Sequence, residues 1–256
     1  MIANYHTHTF RCCHAYGTER EYVEKALDRK LQIFGFSDHT PQYFPGNYYS
    51  YIRMYPQELP WYCETVRNLR DEYRGKIEIP LGVEAEYYPA TWNEMLPRLQ
   101  DAGIEYMILG QHWLGNEQNE HGSAAATADE ELLKRYCHQV MTGLETGKFT
   151  YLAHPDLFNY VGDRKIYRKH MRQICRLARE GNIPLEINLL GMLCNKHYPN
   201  PEFWALAAEE GCSVILGLDA HDPSHVENYE CEAKALEMVR HYGLKLLETV
   251  DLKPLS

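Results

Sequence analysis

Residues 2–14 read IANYHTHTFRCCH: a short apolar run, residues 2–5, passes without a turn into His6-Thr7-His8, and His14 follows in the loop. Next comes Thr18-x-x-Glu21, a capping box, ahead of Tyr22, Val23, Ala26 and Leu27 at helical spacing. Strand, loop and helix therefore stand in succession. The same order recurs along the chain. Further apolar or β-branched runs of strand length occupy residues 33–36, 77–83, 106–109, 150–153, 183–187 and 214–218. Between them lie helical patterns. Leu59, Tyr62, Val66, Leu69 and Tyr73 form one stripe. Thr127-x-x-Glu130 opens another, with Leu133, Tyr136, Val140 and Leu144, that closes at Gly147. Tyr167, Met171, Ile174 and Ala178 lead to Gly181, Pro201 starts a helix stopped by Gly211, and residues 226–242 form the last long one.

Seven strands alternating with helices call for a parallel sheet with helical crossovers, either open and doubly wound or closed as a barrel. No phosphate-cradling glycine motif follows the first strand, which sets nucleotide-binding versions aside. No linker, low-complexity tract or repeat interrupts the order, so residues 1–256 are expected to form one α/β domain.

The net charge of -10 argues against a nucleic-acid partner, which needs a basic surface to neutralise phosphates. It leaves room for a small phosphorylated substrate, because bound cations can supply positive charge locally. No apolar stretch is long enough to span a membrane, and the opening MIANYHTH lacks the form of a secretory signal, so a cytoplasmic location is expected. The eight cysteines are scattered without a C-x-x-C pair and read as free thiols. Histidine and carboxylate are the ligand types left.

Barrel enzymes carry their chemistry just beyond the C-terminal ends of the strands. Here those positions read His6-x-His8 with His14, then Asp38-His39, Glu84-x-Glu86, Gln111-His112, His154-x-Asp156 and Asp219-x-His221. A lone histidine beside a strand is ordinarily a hydrogen-bonded loop or core residue. Histidines at five strand ends form a pattern that independent structural roles explain poorly. Residues two apart on an extended strand point the same way, as in His6-x-His8 and Asp219-x-His221. Imidazole with a few carboxylates suits Zn, Fe or Mn. Seven histidines and two acids exceed what one ion can use, and a carboxylate such as Glu84 can bridge two ions about 3.5–4 Å apart. The centre is expected to be multinuclear, with two to three divalent ions.

The ordered motifs HTHTFRCCH, GFSDHTP, GVEAEYYP, ILGQHW, AHPDLF, LEINLLG and GLDAHDP resemble those of the polymerase and histidinol phosphatase (PHP) superfamily, and within it the stand-alone histidinol phosphatases. The resemblance spans nearly the whole chain. It implies a distorted (β/α)7 TIM-like barrel, a trinuclear metal centre and hydrolysis of L-histidinol phosphate to L-histidinol and phosphate in histidine biosynthesis. It further implies that His6, His8, Glu84 and Asp219 hold a first ion, that Glu84 bridges to a second held by His112 and His154, and that His14, His39 and His221 hold a third. In the related phosphatases an arginine usually follows the sixth strand; this chain has Asn195-Lys196-His197 there. Lys196 and Arg164 are the candidate phosphate contacts, Lys196 as a point charge without the arginine fork.

The expected reaction is attack by a metal-activated hydroxide on a phosphate monoester. Glu84 and His112 would act as ligands, and Asp219 as a ligand that can also take up a proton. The alternative is a phosphoesterase of the same kind acting on phosphotyrosine, a nucleotide or another small phosphoester. Two further readings are an amidohydrolase, which calls for a different motif order, and a non-catalytic metal-binding module, which the complete ligand set disfavours. Tyr43, Tyr48, Tyr49, Tyr51 and Tyr55, with Arg53 among them, form a loop that either lids the site or packs its own aromatics over the barrel. Glu86 is expected to support the ligands from behind. His121, His138, His170, His197, His225 and His241 read as surface or loop residues.

Overall fold

The computed structural model describes residues 1–118 and 120–255. In chain order the elements are β1 (Ala3–Asn4), α1 (Glu19–Asp28), β2 (Ile33–Phe34), α2 (Leu59–Glu72), β3 (Gly82–Ala85), α3 (Pro89–Asp101), β4 (Tyr106–Leu109) and α4 (Glu130–Glu145), followed by β5 (Phe149–Leu152), α5 (Arg164–Glu180), β6 (Leu185–Asn188), α6 (Leu189–Leu193), α7 (Pro201–Glu210), β7 (Ser213–Gly217), α8 (Tyr229–Tyr242) and β8 (Lys245–Leu246). Every strand pairing is parallel: β1 with β2, and β3 through β8 in sequence order. Single parallel bridges extend these ladders, His39 with Glu84 between the second and third strand ends, and Thr7 with Ala220 between the first and seventh. Among the described residues, no helix is long and apolar enough to cross a membrane.

Alternation along the strands divides the interior into two layers. On β4, Met107 and Leu109 join the large cluster between strands and helices. Tyr106 and Ile108 face the other way and pack with Ala3, Tyr5, Tyr151, Ala153 and Ile215. Glu84 lies on that second face too, between Val83 and Ala85 of the first layer. The strand period thus places Glu84 on the face away from the helices while its apolar neighbours pack against them.

The capping box at Thr18 and Glu21 forms as its spacing predicts. Several boundaries differ. The third strand is Gly82–Ala85 rather than residues 77–83, because Pro80 has no N–H to give a ladder. The fourth helix is capped by Asp129, whose side chain accepts from Glu131 N–H, while the Thr127 hydroxyl accepts from Asp129 N–H. The final helical stretch breaks at Asn228, with a 3-10 turn at Pro223–Glu227 before α8. α3 carries Pro97 within it, and that proline hides the helix from a pattern reading.

Candidate metal centre

The structure gathers the nine side chains named from the sequence at one end of the strands. Ring centroids link the histidines in a chain: His154–His112 4.9 Å, His112–His39 5.1 Å, His39–His8 4.3 Å, His8–His221 4.0 Å, His221–His14 4.7 Å and His8–His6 5.2 Å. Glu84 sits among them. Its Oε1 lies 2.8 Å from His154 Nε2 and 3.6 Å from His112 Nε2. Its Oε2 lies 3.1 Å from His39 Nδ1, 3.4 Å from His8 Nε2 and 3.5 Å from His6 Nε2. Asp219 Oδ1 closes the cluster, 3.0 Å from His8 Nε2 and 3.4 Å from His6 Nε2.

Local backbone places these groups. His154 and Asp219 hold φ of +26° and +51°, a left-handed conformation that costs a non-glycine residue on the order of 1–3 kcal/mol. Both stand just past strand ends, where the turn swings the side chain into the cluster. Close approach also demands glycine. A Cβ on Gly110 would lie 1.7 Å from Glu84 Oε1, and one on Gly217 2.2 Å from Glu186 Oε2, so any side chain there displaces a carboxylate.

A further layer fixes the rings. His6 Nδ1 meets Glu186 Oε2 at 2.8 Å, and His112 Nδ1 meets Glu86 Oε1 at 3.0 Å. The Nδ1 atoms of His14 and His221 meet the carbonyls of Cys12 and Asp219 at 2.7 and 3.0 Å. Asn188 Nδ2 donates to Asp219 Oδ2 at 3.0 Å and to Glu186 Oε1 at 2.8 Å. Such partners hold the proton on Nδ1 and turn the Nε2 lone pair inward.

The donor set fits divalent cations. Among the described residues, the buried side-chain polar atoms without a hydrogen-bond partner include His6 Nε2, both nitrogens of His8, His39 Nδ1, Glu84 Oε2 and His154 Nδ1. Each such orphan costs about 1–3 kcal/mol, and His6 Nε2, His8 Nε2 and His39 Nδ1 gather 3.5, 3.4 and 3.1 Å from Glu84 Oε2. Between His14 and His221 the two Nε2 atoms stand 3.0 Å apart. With both Nδ1 protons committed to carbonyls, two lone pairs oppose each other, a repulsion that a cation between them removes. Ligand atoms of His6, His8 and Asp219, of His6, Glu84 and His154, and of His14, His39 and His221 each lie within 4.8 Å of one another.

Without an ion, protons carry the charge. Burial pushes His6 down, but Glu186, Asp219 and Glu84 together hold it well above the ordinary histidine value. Burial likewise opposes protonation of His8, yet the carboxylates of Asp219, Asp38 and Glu84 beside it bring it up to about 9. Burial would raise Glu84 and Asp219; the surrounding imidazoles keep both well below the usual carboxylate range. His39 and His221 fall well below theirs through burial and the neighbouring charge on His8. The ion-free site therefore holds protons that a loaded site cannot keep. Loading should release them, tightening as pH rises towards about 9 and weakening as it falls. Titration calorimetry in buffers of different ionisation enthalpy reads this directly, and affinity constant from pH 6 to about 9 would contradict it.

The cluster opens into a pocket of about 640 Å³ whose wall includes His14, His39, His112, Asp219 and His221. Lys196 lines the mouth with Tyr16, Ile52, Tyr198 and Asp222. Arg164 does not line it: its exposed guanidinium is bonded to Glu202. None of the loop tyrosines lines it either, and the loop reaches the mouth through Ile52. Two histidines read as surface residues have other places. His170 is buried against Glu130 at 2.9 Å, and His225 lines the mouth and accepts from His221 N–H. Glu186 and the network around Arg53 escaped the sequence reading. A glutamate within an apolar strand was the visible signal for Glu186, but its partner His6 lies just past a strand remote in sequence.

Known proteins resemble this chain in sequence and in fold. A probable histidinol-phosphatase from Deinococcus radiodurans is 31% identical over 234 residues, 88% of each chain. A histidinol-phosphatase from Lactococcus lactis is 24% identical over 195 residues, covering 72% of this chain and 70% of its own. The crystal structure of a histidinol phosphate phosphatase from Lactococcus lactis, complexed with zinc, L-histidinol and phosphate, superposes with a TM-score of 0.76 at 20% identity, over 97% of this chain and 98% of that one. The model of the PHP domain matches residues 4–189, from β1 to the start of α6 and across most of the clustered histidines; the chain belongs to the PHP domain family.

Proposed function

We propose that the protein is a metal-dependent histidinol phosphatase, hydrolysing L-histidinol phosphate to L-histidinol and phosphate. The observation that carries this reading is the Glu84 carboxylate set between two groups of imidazoles, with His6 Nε2, His8 Nε2 and His39 Nδ1 on one side lacking hydrogen-bond partners. A phosphatase relative sharing 31% identity over 88% of the chain supports the reaction class.

In this reading two to three divalent ions occupy the cluster. His6, His8, Glu84 and Asp219 would hold the first, Glu84, His112 and His154 the second, and His14, His39 and His221 the third. Zinc, iron and manganese all suit this donor set. Bound, the ions supply Lewis acidity, neutralising phosphoryl oxygens and making water a nucleophile near neutral pH. The chain's own residues orient and exclude. Glu84, held well below the usual carboxylate range by the imidazoles around it and so a weak base, would serve as a ligand shared between two ions rather than as a general base. Asp219 keeps Oδ2 on Asn188 and presents Oδ1 to the cluster, where it can receive a proton. Lys196 at the mouth meets the phosphate as a point charge. The acidic chain, at net charge -10, favours a small substrate over nucleic acid. Eight free thiols fit a reducing cytoplasm.

The scaffold belongs to the same proposal: one domain, a distorted (β/α)7 barrel. The bridge between Thr7 and Ala220 supports it, since it joins the first strand's continuation to the seventh's.

Turnover of histidinol phosphate by metal-reconstituted protein, measured beside phosphotyrosine and nucleotides, tests the reading. A kcat/KM at least about 100-fold higher for histidinol phosphate is expected, roughly the 2.7 kcal/mol that a few matched polar contacts provide. Comparable rates on all three would favour the alternative phosphoester, a reading helped by Lys196 standing alone at the mouth while Arg164 is bonded to Glu202. No phosphate release from any of them would end both.

A further inference from the structure

Arg53 lies in the tyrosine-rich loop yet is 2% exposed. Its five N–H groups face five acceptor contacts. Nη1 donates to Glu86 Oε2 at 2.8 Å and to the Thr40 carbonyl at 3.2 Å. Nη2 donates to Glu86 Oε1 at 2.9 Å and stands 2.7 Å from Glu117 Oε2, which also accepts from Nε at 2.9 Å. A buried ion group is tolerable when bonded this completely. The other oxygen of Glu117 accepts from the Tyr48 hydroxyl at 2.8 Å.

This network ends on the cluster. Glu86 Oε1, clasped by Arg53, is the atom that meets His112 Nδ1 at 3.0 Å. The His112 side chain is 22% exposed, whereas those of His6, His8 and His154 are at most 2% exposed, so packing holds it less than those three. Its direction depends on the Glu86 contact. Without the guanidinium that carboxylate loses two donors and its fixed plane, and the His112 ring loses its bearing towards Glu84. The residue before Arg53 is Ile52, part of the pocket mouth.

We propose that Arg53 is a positioning residue: through Glu86 it orients His112 for ion binding beside Glu84 and His154. The inference rests on His112 being an ion ligand, as the proposed function has it. The test counts ions per chain by elemental analysis after reconstitution, alongside thermal unfolding and the ring ¹⁵N shifts of His112. Arg53→Met should melt cooperatively but bind one ion about 10–100-fold more weakly, the others unchanged, with shifted His112 nitrogens. Arg53→Lys, which keeps the charge without the fork, should recover part of the affinity. Tyr48→Phe, which removes the loop hydroxyl bonded to Glu117 but leaves the clasp of Arg53 on Glu86, should keep the full complement. Should Arg53→Met fail to fold, Glu86→Gln breaks the same clasp at constant volume and should show the same selective loss. A full ion complement with unshifted His112 nitrogens in a folded clasp variant overturns the inference alone, as does simultaneous loss of every ion. Wild-type protein that takes up no ion overturns the functional reading and this inference with it.

Discussion

Glu84→Ala is expected to lower turnover of histidinol phosphate by at least about 10³-fold while the protein still folds. Loss of a single preorganised electrostatic group costs about 10²–10³ in kcat, and Glu84 serves two groups of ligands at once. The side chain is 1% exposed, with imidazole nitrogens on both of its oxygens. Removing it leaves those imidazoles facing one another without the negative charge that makes a cation welcome. Glu84→Gln separates charge from shape. It keeps the volume and one acceptor but loses the anion, so its activity should fall almost as far and its ion content should drop. Steady-state kinetics and elemental analysis on the same preparations check both. Near-normal activity in purified, folded Glu84→Gln would contradict the proposed centre.

Stripping the ions should lower the melting temperature markedly. Ligands that bind only the folded state stabilise it by about 4 kcal/mol when present at about 1,000 times Kd. For a chain of this size about 2–4 °C accompanies each kcal/mol, so a fall of roughly 8–16 °C is expected on chelation. The source is the facing, unpartnered nitrogens of His6, His8, His14, His39 and His221, which an ion reconciles and protons reconcile only in part. Scanning calorimetry with and without added ions gives the shift, and Glu84→Ala should show much less of it. Superimposable melts of loaded and chelated wild type would contradict this origin of stability.

Much of the site was legible because its residues mark strand ends. His6-x-His8 follows β1 directly, Glu84 lies in β3, His112 and His154 follow β4 and β5, and Asp219-x-His221 follows β7. Parallel strands joined by helices bring successive strand ends to one side of the sheet, so ligands scattered over two hundred residues converge from order alone. Helix caps at Thr18 and Gly211 were readable for a similar reason, since local hydrogen bonding and a left-handed C-terminal residue decide them. Pro80 and Pro97 misled in opposite ways, one ending a ladder inside an apolar run and the other sitting within a helix.

The supporting layer was not legible. Glu186 behind His6 and Arg53 behind Glu86 are contacts across strands and loops remote in sequence, and nothing in the sequence near either residue names its partner. Arg164 looked as suited to phosphate as Lys196 until the packing of α5 beside α7 gave its guanidinium to Glu202. Residue type and strand-end position, by themselves, determined which imidazoles and acids face the cluster, because strand period and parallel connection are local properties. Which cation reaches the mouth, which acids fix the rings and how the tyrosine loop is anchored depend on distances between segments far apart in the chain. Only the folded arrangement sets those distances.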